Sequence, residues 1–406
     1  MISERGRRLS SHDPFLVDAH LRCADNDFHP ESNPRGYVNL GTAENRMVFD
    51  LLEPLLNRAQ EICEPDTHYN VLHGARFFRD AIVRLLSNRA GRPLDAENLA
   101  VASGASAILE NLAFVLCDPG EAILIPSPYY SGFDHDLALR SEALLRHIPL
   151  AGPDFMLAVG DITQAYERAI SEGSRLKAIL LNSPQNPLGQ VYSRALIEDI
   201  LSFAEKQKLH VIVDEIYAES LMPGVSHFSA LGIKSDLVHV VYGFAKDFGL
   251  SGYKVGLLYS ENREVIKAVQ DSTYFYPVSM QTQRTLANFL EDEDLSAFLH
   301  LSRERLAAAY RETCAELTAG EIPFLPVEGG IVMWLDLRAF LRQPSFEAER
   351  GFFKHLFEHH RVSISPGKVF HSGEPGWFRL CFTVPESHRR EALKRLVTGT
   401  KNPVVL

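Results

Sequence analysis

Short apolar runs alternate with longer amphipathic segments along most of this chain. Five of the runs are continuously apolar and rich in β-branched residues, a pattern typical of strands that are buried on both faces of a parallel sheet. They cover residues 99–104, 122–128, 176–184, 209–215 and 237–246. Helical periodicity lies between them, as in residues 105–117 and in residues 193–208, where Ser193 suits a helix N-cap. Strand–helix–strand units at this spacing predict an α/β fold with a mostly parallel sheet covered by helices.

The pattern changes near residue 285. A long helical stretch over residues 295–320 is followed by IVMWLDLRAF (331–340) and by a second compact pattern in the C-terminal region. A chain of 406 residues is also too long for one small core. We predict a large domain over residues 50–290 and a smaller α/β domain built from residues 1–49 and 291–406.

Composition and charge narrow the class of protein. The chain has 41 basic and 52 acidic residues, a net charge of −11, which does not resemble the basic footprint of a nucleic-acid-binding protein. The five cysteines are scattered without a C-x-x-C pair, which argues against a disulfide framework or a zinc site. No apolar stretch approaches the length of a membrane span, and the N-terminal residues lack a signal-peptide pattern. We therefore expect a cytoplasmic protein that binds neither metal, nucleic acid nor membrane.

Polar residues follow four of the predicted strands. In open parallel sheets, ligands bind at the carboxyl ends of the strands. Here those ends carry Ser-Gly-Ala-Ser (103–106), Asn-Ser-Pro-Gln-Asn-Pro (182–187), Asp-Glu-Ile-Tyr (214–217) and Phe-Ala-Lys (244–246). Together they supply backbone donors, an amide, an acid with a phenol, and an amine. A phosphorylated, electron-poor ring that carries a carbonyl group needs this set of partners.

Three of these residues have a chemical and a structural interpretation. Lys246 could form a Schiff base with an aldehyde if burial lowers its pKa, although a single lysine after a strand is more often solvated. Asp214 could keep a pyridine nitrogen protonated, or it could simply be a helix N-cap. Tyr217 could reach the phenolic oxygen of the same ring, or it could only pack.

The remaining candidates are also open to two interpretations. Asn186 lies in a Pro-Gly turn that explains the neighbouring residues but not an amide at a strand end. The SGAS segment opens a helix and could bind phosphate through free N–H groups, or Ser103 or Ser106 could be an ordinary cap. No glycine-rich nucleotide motif is present. Arg379 is flanked by apolar residues and could grip a carboxylate or form a structural salt bridge.

Several longer segments have close counterparts in one enzyme family. They are LGTAENR (40–46), IPSPYYSGFDHDL (125–137), NSPQNPLG (182–189), DEIY (214–217), AKDFGLSGYKVG (245–256), WLDLR (334–338) and ISPGKVFHSGEPGWFRLCF (364–382). In these segments the sequence resembles the fold-type I pyridoxal 5'-phosphate (PLP) enzymes of the class I/II aminotransferase family. Within that family it is most similar to the 1-aminocyclopropane-1-carboxylate (ACC) synthases.

The resemblance implies a role for each candidate residue. Lys246 would hold PLP as an internal aldimine, and Asp214 would face its pyridine nitrogen. Asn186 and Tyr217 would face the phenolic oxygen, and Tyr130 would stack on the ring. The phosphate would be bound by Gly104, Ala105, Ser106 and Lys254. The substrate would be bound by Arg379 at its α-carboxylate, by Asn186, by Glu44 near its side chain, and by Lys368. A homodimer with active sites at the subunit interface is implied as well.

The sequence also departs from the family pattern at the expected phosphate contacts. Leu72 stands where a tyrosine usually reaches across the dimer to the cofactor phosphate. Gly243 and Ala245 replace two serines that flank the lysine motif, and Lys254 replaces an arginine. Lys cannot reproduce the two-pronged grip of Arg. Lys368 stands where ACC synthases have a small polar residue, and an exposed loop position explains it more simply than a substrate contact.

The resemblance leaves several functions to be distinguished. The favoured one is an enzyme that deprotonates Cα of S-adenosylmethionine (SAM) and cleaves its Cγ–S bond, releasing methylthioadenosine. A second small-molecule substrate could capture the vinylglycine-type quinonoid, giving γ-substitution or annulation. The main alternative is an aminotransferase that acts on an ordinary α-amino acid. A non-enzymatic effector domain is disfavoured, because the Lys, Asp, Asn and Tyr set is complete and no helix-turn-helix pattern accompanies it.

Overall fold

The computed structural model describes residues 2–10, 15–150 and 152–401. The chain divides into two compact units. The larger unit comprises Glu44–Ala308 and Pro326–Ile331. The smaller unit comprises the N-terminal residues through Ala43, the segment Ala309–Leu325 and the C-terminal part from Val332. The smaller unit is therefore built from both ends of the chain.

The helices and strands have the following bounds in chain order. The helices are α1 (Glu4–Ser10), α2 (Phe15–Asp25), α3 (Phe49–Ala59), α4 (Arg76–Ala90), α5 (Ala105–Leu116), α6 (Phe133–Ala138), α7 (Val159–Ser171), α8 (Arg194–Gln207), α9 (Arg263–Ser272), α10 (Met280–Leu290), α11 (Leu295–Ala319), α12 (Phe346–His360) and α13 (Glu386–Lys401). The strands are β1 (Val38–Asn39), β2 (Leu99–Ala102), β3 (Glu121–Ser127), β4 (Leu144–Pro149), β5 (Arg175–Asn182), β6 (His210–Asp214), β7 (Val238–Gly243), β8 (Gly256–Ser260), β9 (Val332–Asp336), β10 (Val362–Ser363), β11 (Ser365–Pro366) and β12 (Trp377–Cys381).

A seven-stranded sheet forms the centre of the larger unit in the described part of the chain. Its strand order is β2-β8-β7-β6-β5-β3-β4, and the pairs from β7 to β4 are parallel. Only β8 runs antiparallel to its neighbours β2 and β7 among these described strands. The sheet is thus mostly parallel, as the continuous apolar runs predict.

Burial explains why these segments are strands. Every residue of β2, β3 and β7 is buried, because helices cover both faces of the sheet. Each of the five predicted strands is found, although the predicted run over residues 237–246 ends as a strand at Gly243. The strands β4 and β8 were not predicted. The sequence of β4, LLRHIP, contains Arg146 and His147 and lies at the sheet edge, where burial is incomplete.

The helix predictions are confirmed as well. The helix α5 occupies Ala105–Leu116, and α11 occupies Leu295–Ala319. The helix α8 begins after Ser193, whose side chain accepts a hydrogen bond from Leu196 N at 3.2 Å. This is the N-cap that the sequence indicates.

The smaller unit has its own sheets. The strands β11, β12 and β9 form an antiparallel sheet, and β1 pairs with β10 in parallel. The ring of Trp334 on β9 stacks on that of Trp377 on β12, with centroids 6.1 Å apart. Across the three described ranges, no helix is both long and apolar enough to cross a membrane.

Candidate active site

Lys246 lies in a tight turn just beyond the end of β7. The backbone N–H of Gly249 donates to the carbonyl of Lys246 at 3.2 Å, and Leu250 N donates to Phe244 O at 3.2 Å. Gly249 has φ +67°, and a β-carbon there would lie 2.9 Å from Val48 Cγ2. Glycine is therefore required for this turn to pack closely. The turn leaves Lys246 half-buried at the carboxyl edge of the sheet.

The turn that carries Lys246 also packs against the segment that contains Glu44. A β-carbon at Gly249 would lie 3.2 Å from the backbone carbonyl oxygen of Asn45, the residue after Glu44. Glu44 itself is half-buried. Glu44, which is predicted to lie near a substrate side chain, thus directly precedes a residue that packs against the lysine turn.

Asp214 is the last residue of β6, and it is 5% exposed. Its Oδ1 accepts a hydrogen bond from Ile216 N at 3.1 Å within a turn, so Asp214 is not the N-cap of a helix. Burial raises the pKa of this carboxyl to about 7, with a further increase from the nearby Asp136 carboxyl, while Lys246 acts in the opposite direction. A buried carboxylate is costly unless a positive charge pairs with it. The ionised form of Asp214 therefore favours a cationic partner.

Asn186 and Tyr217 are brought together beside β5 and β6. Both side chains are buried, and Asn186 Nδ2 donates to the Tyr217 hydroxyl at 3.5 Å. Asn186 N donates to Asn182 Oδ1 at 2.9 Å, which orients the turn after β5. In the register of the sheet, Asn182 lies opposite Asp214. The amide and phenol predicted for one oxygen atom are therefore neighbours.

The amino end of α5 is shaped by two glycines. Gly104 is the N-cap with φ +99°, and no side chain among the described residues caps this helix. A β-carbon at Gly256 would lie 2.3 Å from Ala105 N, so only glycine lets β8 pass this close. Ser103 is not a cap either, because its hydroxyl donates to Tyr276 O and Pro277 O. Uncapped helix N-termini are suited to anions.

Lys254 completes this end of α5. Its backbone is left-handed with φ +53°, and its side chain extends to the helix start. The Lys254 Nζ atom would lie 3.9 Å from a β-carbon at Gly104. An ammonium group, a helix N-terminus and the exposed Ser106 hydroxyl therefore converge at one point.

Tyr130 lies on the loop between β3 and α6. Its ring makes an edge-to-face contact with Phe133, with centroids 5.4 Å apart. The ring also folds over Gly132, where a β-carbon would lie 2.4 Å from Tyr130 Cε1. Glycine at position 132 thereby allows the tyrosine ring to come this close to the backbone.

Sequence reasoning did not identify Asp136 as part of this cluster. Ser106 Oγ donates to Asp136 Oδ2 at 3.1 Å, which joins α6 to the amino end of α5. Burial raises the pKa of Asp136 to about 7, while Ser106 and Lys254 act to lower it. The available signal was the position of Asp136 inside the FDHDL segment, six residues after Tyr130.

Asp247 is a second residue that sequence reasoning missed. It follows Lys246 directly, and its buried carboxylate accepts from Ser220 Oγ at 2.7 Å and from the Tyr242 hydroxyl at 2.9 Å. Glu219 N also donates to it at 2.9 Å. The lysine turn is therefore hydrogen-bonded to the chain that follows Tyr217.

Two predicted substrate residues belong to the smaller unit. Arg379, on β12, is 4% exposed and donates to Gly41 O, and its guanidinium carbon lies 4.6 Å from the centre of the Phe370 ring. Lys368 is exposed in a short helical turn, and its ammonium lies 5.8 Å from the Phe346 ring centre. Its position on an exposed turn matches the simpler of the two interpretations of Lys368.

The residues that depart from the family pattern differ in how tightly they are packed. Leu72 and Ala245 are half-buried. Gly243 is buried, and a β-carbon there would lie 2.8 Å from Val255 O and 3.1 Å from Ile216 Cδ1. A serine at position 243 would thus require the backbone to move, so the surrounding chain is adapted to glycine.

The larger unit offers a chemical partner for each polar part of PLP. Asp214 suits a protonated ring nitrogen, and the Asn186–Tyr217 pair suits the phenolic oxygen. The amino end of α5 with Lys254 suits the phosphate. Lys246 offers an amine. The residues present therefore fit this cofactor.

Comparisons with known proteins agree with this chemistry. The family model described as "Aminotransferase class I and II" matches residues 36–396. ACC synthase 1 of Cucurbita pepo is 33% identical over 404 residues, which cover 94% of this chain and 82% of that protein. The ACC synthase of Glycine max is 34% identical over 383 residues, 88% of this chain and 79% of that protein. A Mus musculus protein named "Probable inactive 1-aminocyclopropane-1-carboxylate synthase-like protein 2" is 36% identical over 412 residues, 97% and 71% of the two chains.

Solved structures agree on the fold. The aspartate aminotransferase of Thermus thermophilus with maleate has a TM-score of 0.83 at 22% identity, covering 98% of this chain and 99% of that one. The aromatic aminotransferase of Pyrococcus horikoshii has a TM-score of 0.79 at 21% identity, covering 95% and 99%. The predicted α/β fold of fold type I is thus confirmed. This chain belongs to the class I and II aminotransferase family, as a PLP-dependent enzyme related to the ACC synthases.

Proposed function

We propose that this enzyme acts on SAM, removing the Cα proton and cleaving the Cγ–S bond so that methylthioadenosine leaves. The observation that carries the proposal is the similarity to ACC synthases from several plants, at 33–35% identity over most of the chain. Transamination of an ordinary α-amino acid is the alternative, and the aminotransferase fold is compatible with it.

The residues of the larger unit would divide the chemistry among them. Bound PLP supplies an electron sink for the pair of electrons left at Cα. Lys246 would accept the Cα proton at its Nζ atom, acting as general base. Asp214 would keep the pyridine nitrogen charged, and its burial supports this role because an ionised carboxylate there needs a cation. Asn186 and Tyr217 would orient the ring by donating to its phenolic oxygen.

Substrate recognition would use charge at both ends of the molecule. Arg379 would hold the α-carboxylate, since guanidinium groups bind carboxylates through two parallel hydrogen bonds. Its stacking on Phe370 restricts the guanidinium plane, which supports such a role. Glu44 would lie near the side chain, where a carboxylate favours the positive sulfonium of SAM. When the C–S bond breaks, its electron pair leaves with the sulfur of methylthioadenosine.

The final product depends on the step after C–S cleavage. Closure of a bond between Cα and Cγ gives ACC. Alternatively, a second small molecule could add at Cγ and give a substituted amino acid or a ring. The replacement of a tyrosine by Leu72 supports this branch, because the smaller apolar side chain leaves more room and removes a polar contact. Lys368, being exposed, adds no support to it.

We further propose that the enzyme is a homodimer. Large apolar side chains are exposed on the larger unit, including Ile62 at 88%, Tyr69 fully, and Phe275 at 72%. Arg284 Nε binds Asp66 Oδ2 at 3.0 Å, which holds the segment after Ile62 against α10. Ordered, exposed apolar groups of this kind favour association. Sedimentation analysis would show a species of about twice the 45.5 kDa chain mass, and a monomer at all concentrations would contradict the proposal.

Incubation of the PLP-loaded protein with SAM tests the proposed reaction. Mass spectrometry should detect methylthioadenosine, formed in a time-dependent manner that requires enzyme. Its release with ACC identifies the synthase reaction, and its release without ACC points to a second substrate. If no methylthioadenosine forms and pyridoxamine phosphate accumulates with ordinary amino acids, the proposal fails and the protein is an aminotransferase.

Two variants make this test specific. Lys246→Ala should abolish methylthioadenosine release, because the proposed base is lost. Lys206→Ala removes an exposed lysine of α8 and should leave release unchanged. Equal rates in the two variants would show that SAM decomposition does not involve Lys246.

A further inference from the structure

A carboxyl group lies where the proposed cofactor site needs positive charge. Asp136 Oδ2 accepts a hydrogen bond from Ser106 Oγ at 3.1 Å, and Ser106 belongs to the first turn of α5. Lys254 reaches the same helix end. The phosphate of PLP carries a charge of about −1.5 to −2 at neutral pH. A carboxylate and a phosphate that share the same donors would repel each other.

We propose that Asp136 is a proton-linked determinant of cofactor affinity, taking up a proton when the phosphate of PLP binds at the amino end of α5. The inference rests on the placement of the phosphate that was proposed above. A protonated carboxyl becomes a hydrogen-bond donor and no longer competes for the Ser106 hydroxyl. Protonation thereby turns a repulsive neighbour into an additional donor.

The surroundings of Asp136 favour this proton uptake. The helix α6 packs mainly against α5 and β4. The charged or titratable residues of these three elements, other than Asp136 itself, are Glu110, Arg146, His147, Asp134 and His135. Arg140 follows α6 in the chain, and Lys254 and Asp214 come from other parts of the larger unit. Arg140 pairs with Glu110 at 3.5 Å, and Arg146 donates to Ser174 Oγ. Asp134 and His147 both bond to the Tyr129 hydroxyl.

Lys254 is therefore the cation that acts on Asp136 among these residues, and the Asp214 carboxyl also lies nearby. With Lys254 present, the pKa of Asp136 is still about 7, because burial disfavours its charged form. A phosphate dianion beside it would raise this pKa further. The proton is then bound more tightly in the loaded protein than in the free one, so the contribution of Asp136 lowers the affinity for PLP as pH rises above 7.

This proton uptake determines how the affinity for PLP should change with pH. For one group with a pKa of about 7 in the free protein, the dissociation constant of PLP for the wild type, divided by that for Asp136→Asn, should rise up to about 25-fold between pH 6.5 and pH 8.5. Asp136→Asn keeps the size of the side chain and, like the protonated acid, offers both a donor and an acceptor, but it cannot titrate. The ionisations of PLP and of Asp214 are common to both proteins and cancel in this ratio.

Asp134→Asn is the matched control. It lies on the same helix two residues earlier, and its carboxylate accepts from the Tyr129 hydroxyl at 2.8 Å rather than from Ser106. Its pH profile for PLP binding should follow that of the wild type. Dissociation constants are measured by absorbance on adding PLP to protein from which the cofactor has been removed.

Pyridoxal, which lacks the phosphate, separates the role of Asp136 from the placement of the phosphate. PLP should bind much more tightly than pyridoxal, and the ratio of the two affinities should fall with pH in the wild type only. Equal binding of PLP and pyridoxal would overturn the placement of the phosphate. A large preference for PLP with parallel profiles in wild type and Asp136→Asn would overturn the role of Asp136 alone.

The role of Asp136 would also be overturned if Asp136→Asn weakened PLP binding equally at both pH values, since the carboxylate would then only orient Ser106. If Asp136→Asn does not fold, calorimetry on the wild type tests the role of Asp136 instead. Binding of PLP at pH 8 should take up one proton more than binding of pyridoxal, and equal proton uptake would refute the inference.

Discussion

Replacement of Asp214 by asparagine should stabilise the cofactor-free protein while it damages the cofactor site. Asp214 is 5% exposed at the end of β6, and burial raises its pKa from an ordinary value near 3.8 to about 7. Asparagine has nearly the same shape and can still accept the hydrogen bond from Ile216 N. The variant therefore removes the buried charge and little else.

The difference between the folded and unfolded pKa of Asp214 sets the size of the stability change. Because the folded pKa is raised, the unfolded chain loses its proton at lower pH, and ionisation then progressively destabilises the folded state as pH rises from about 4 to about 7. A difference of about 3 pKa units corresponds to about 4 kcal/mol above pH 7. At pH 5, where the folded protein retains the proton, the same difference contributes only about 1.7 kcal/mol.

Urea unfolding of the cofactor-free proteins at pH 5 and pH 8 measures this effect. The stability gain of Asp214→Asn over the wild type should be larger at pH 8 by about 2.6 kcal/mol. Added PLP should stabilise the wild type far more than the variant, because only aspartate pairs with the charged ring nitrogen. A variant that is equally or less stable than the wild type at both pH values would refute the reasoning.

Three further predictions concern the phosphate contacts. Lys254→Arg should tighten PLP binding roughly 10-fold or more, because an added charge-assisted hydrogen bond contributes about 1.5–3 kcal/mol, and unchanged affinity would place the phosphate elsewhere. Gly243→Ser should destabilise the protein by about 1–3 kcal/mol in urea unfolding without improving PLP binding, since its β-carbon would meet Val255 O at 2.8 Å. The half-buried Ala245→Ser is the control and should be tolerated. Leu72→Tyr should tighten PLP if a contact was merely lost, whereas unchanged PLP affinity with lost turnover would indicate a remodelled substrate pocket.

Much of the larger unit could be predicted from the sequence, because its strands are buried on both faces. Continuous apolar runs such as those of β3 and β7 have few other structural explanations. The strand β4 was not predicted, because an edge strand tolerates arginine and histidine and its sequence therefore lacks a continuous apolar run. The antiparallel β8 is short and comes after a glycine-rich turn, so its sequence carries little periodicity.

Strand ends explain which candidate residues the sequence could identify. Asp214 is the last residue of a parallel strand, and Asn186 and Lys246 follow two others. The topology of such a sheet brings its carboxyl ends to one edge. Asp136 could not be found in this way, because its place depends on how the short helix α6 packs on α5. The crowding around Gly243 is likewise a matter of tertiary packing, which local sequence does not reveal.

The most direct test of the proposed site is to locate the lysine that binds the cofactor. Borohydride reduces the bond between PLP and its lysine to a stable amine, and peptide mapping by mass spectrometry then identifies the modified residue. We expect the pyridoxyl group on Lys246 alone, with no modification in Lys246→Ala. A stoichiometric pyridoxyl group on Lys254, Lys368 or any other lysine would contradict the proposed site.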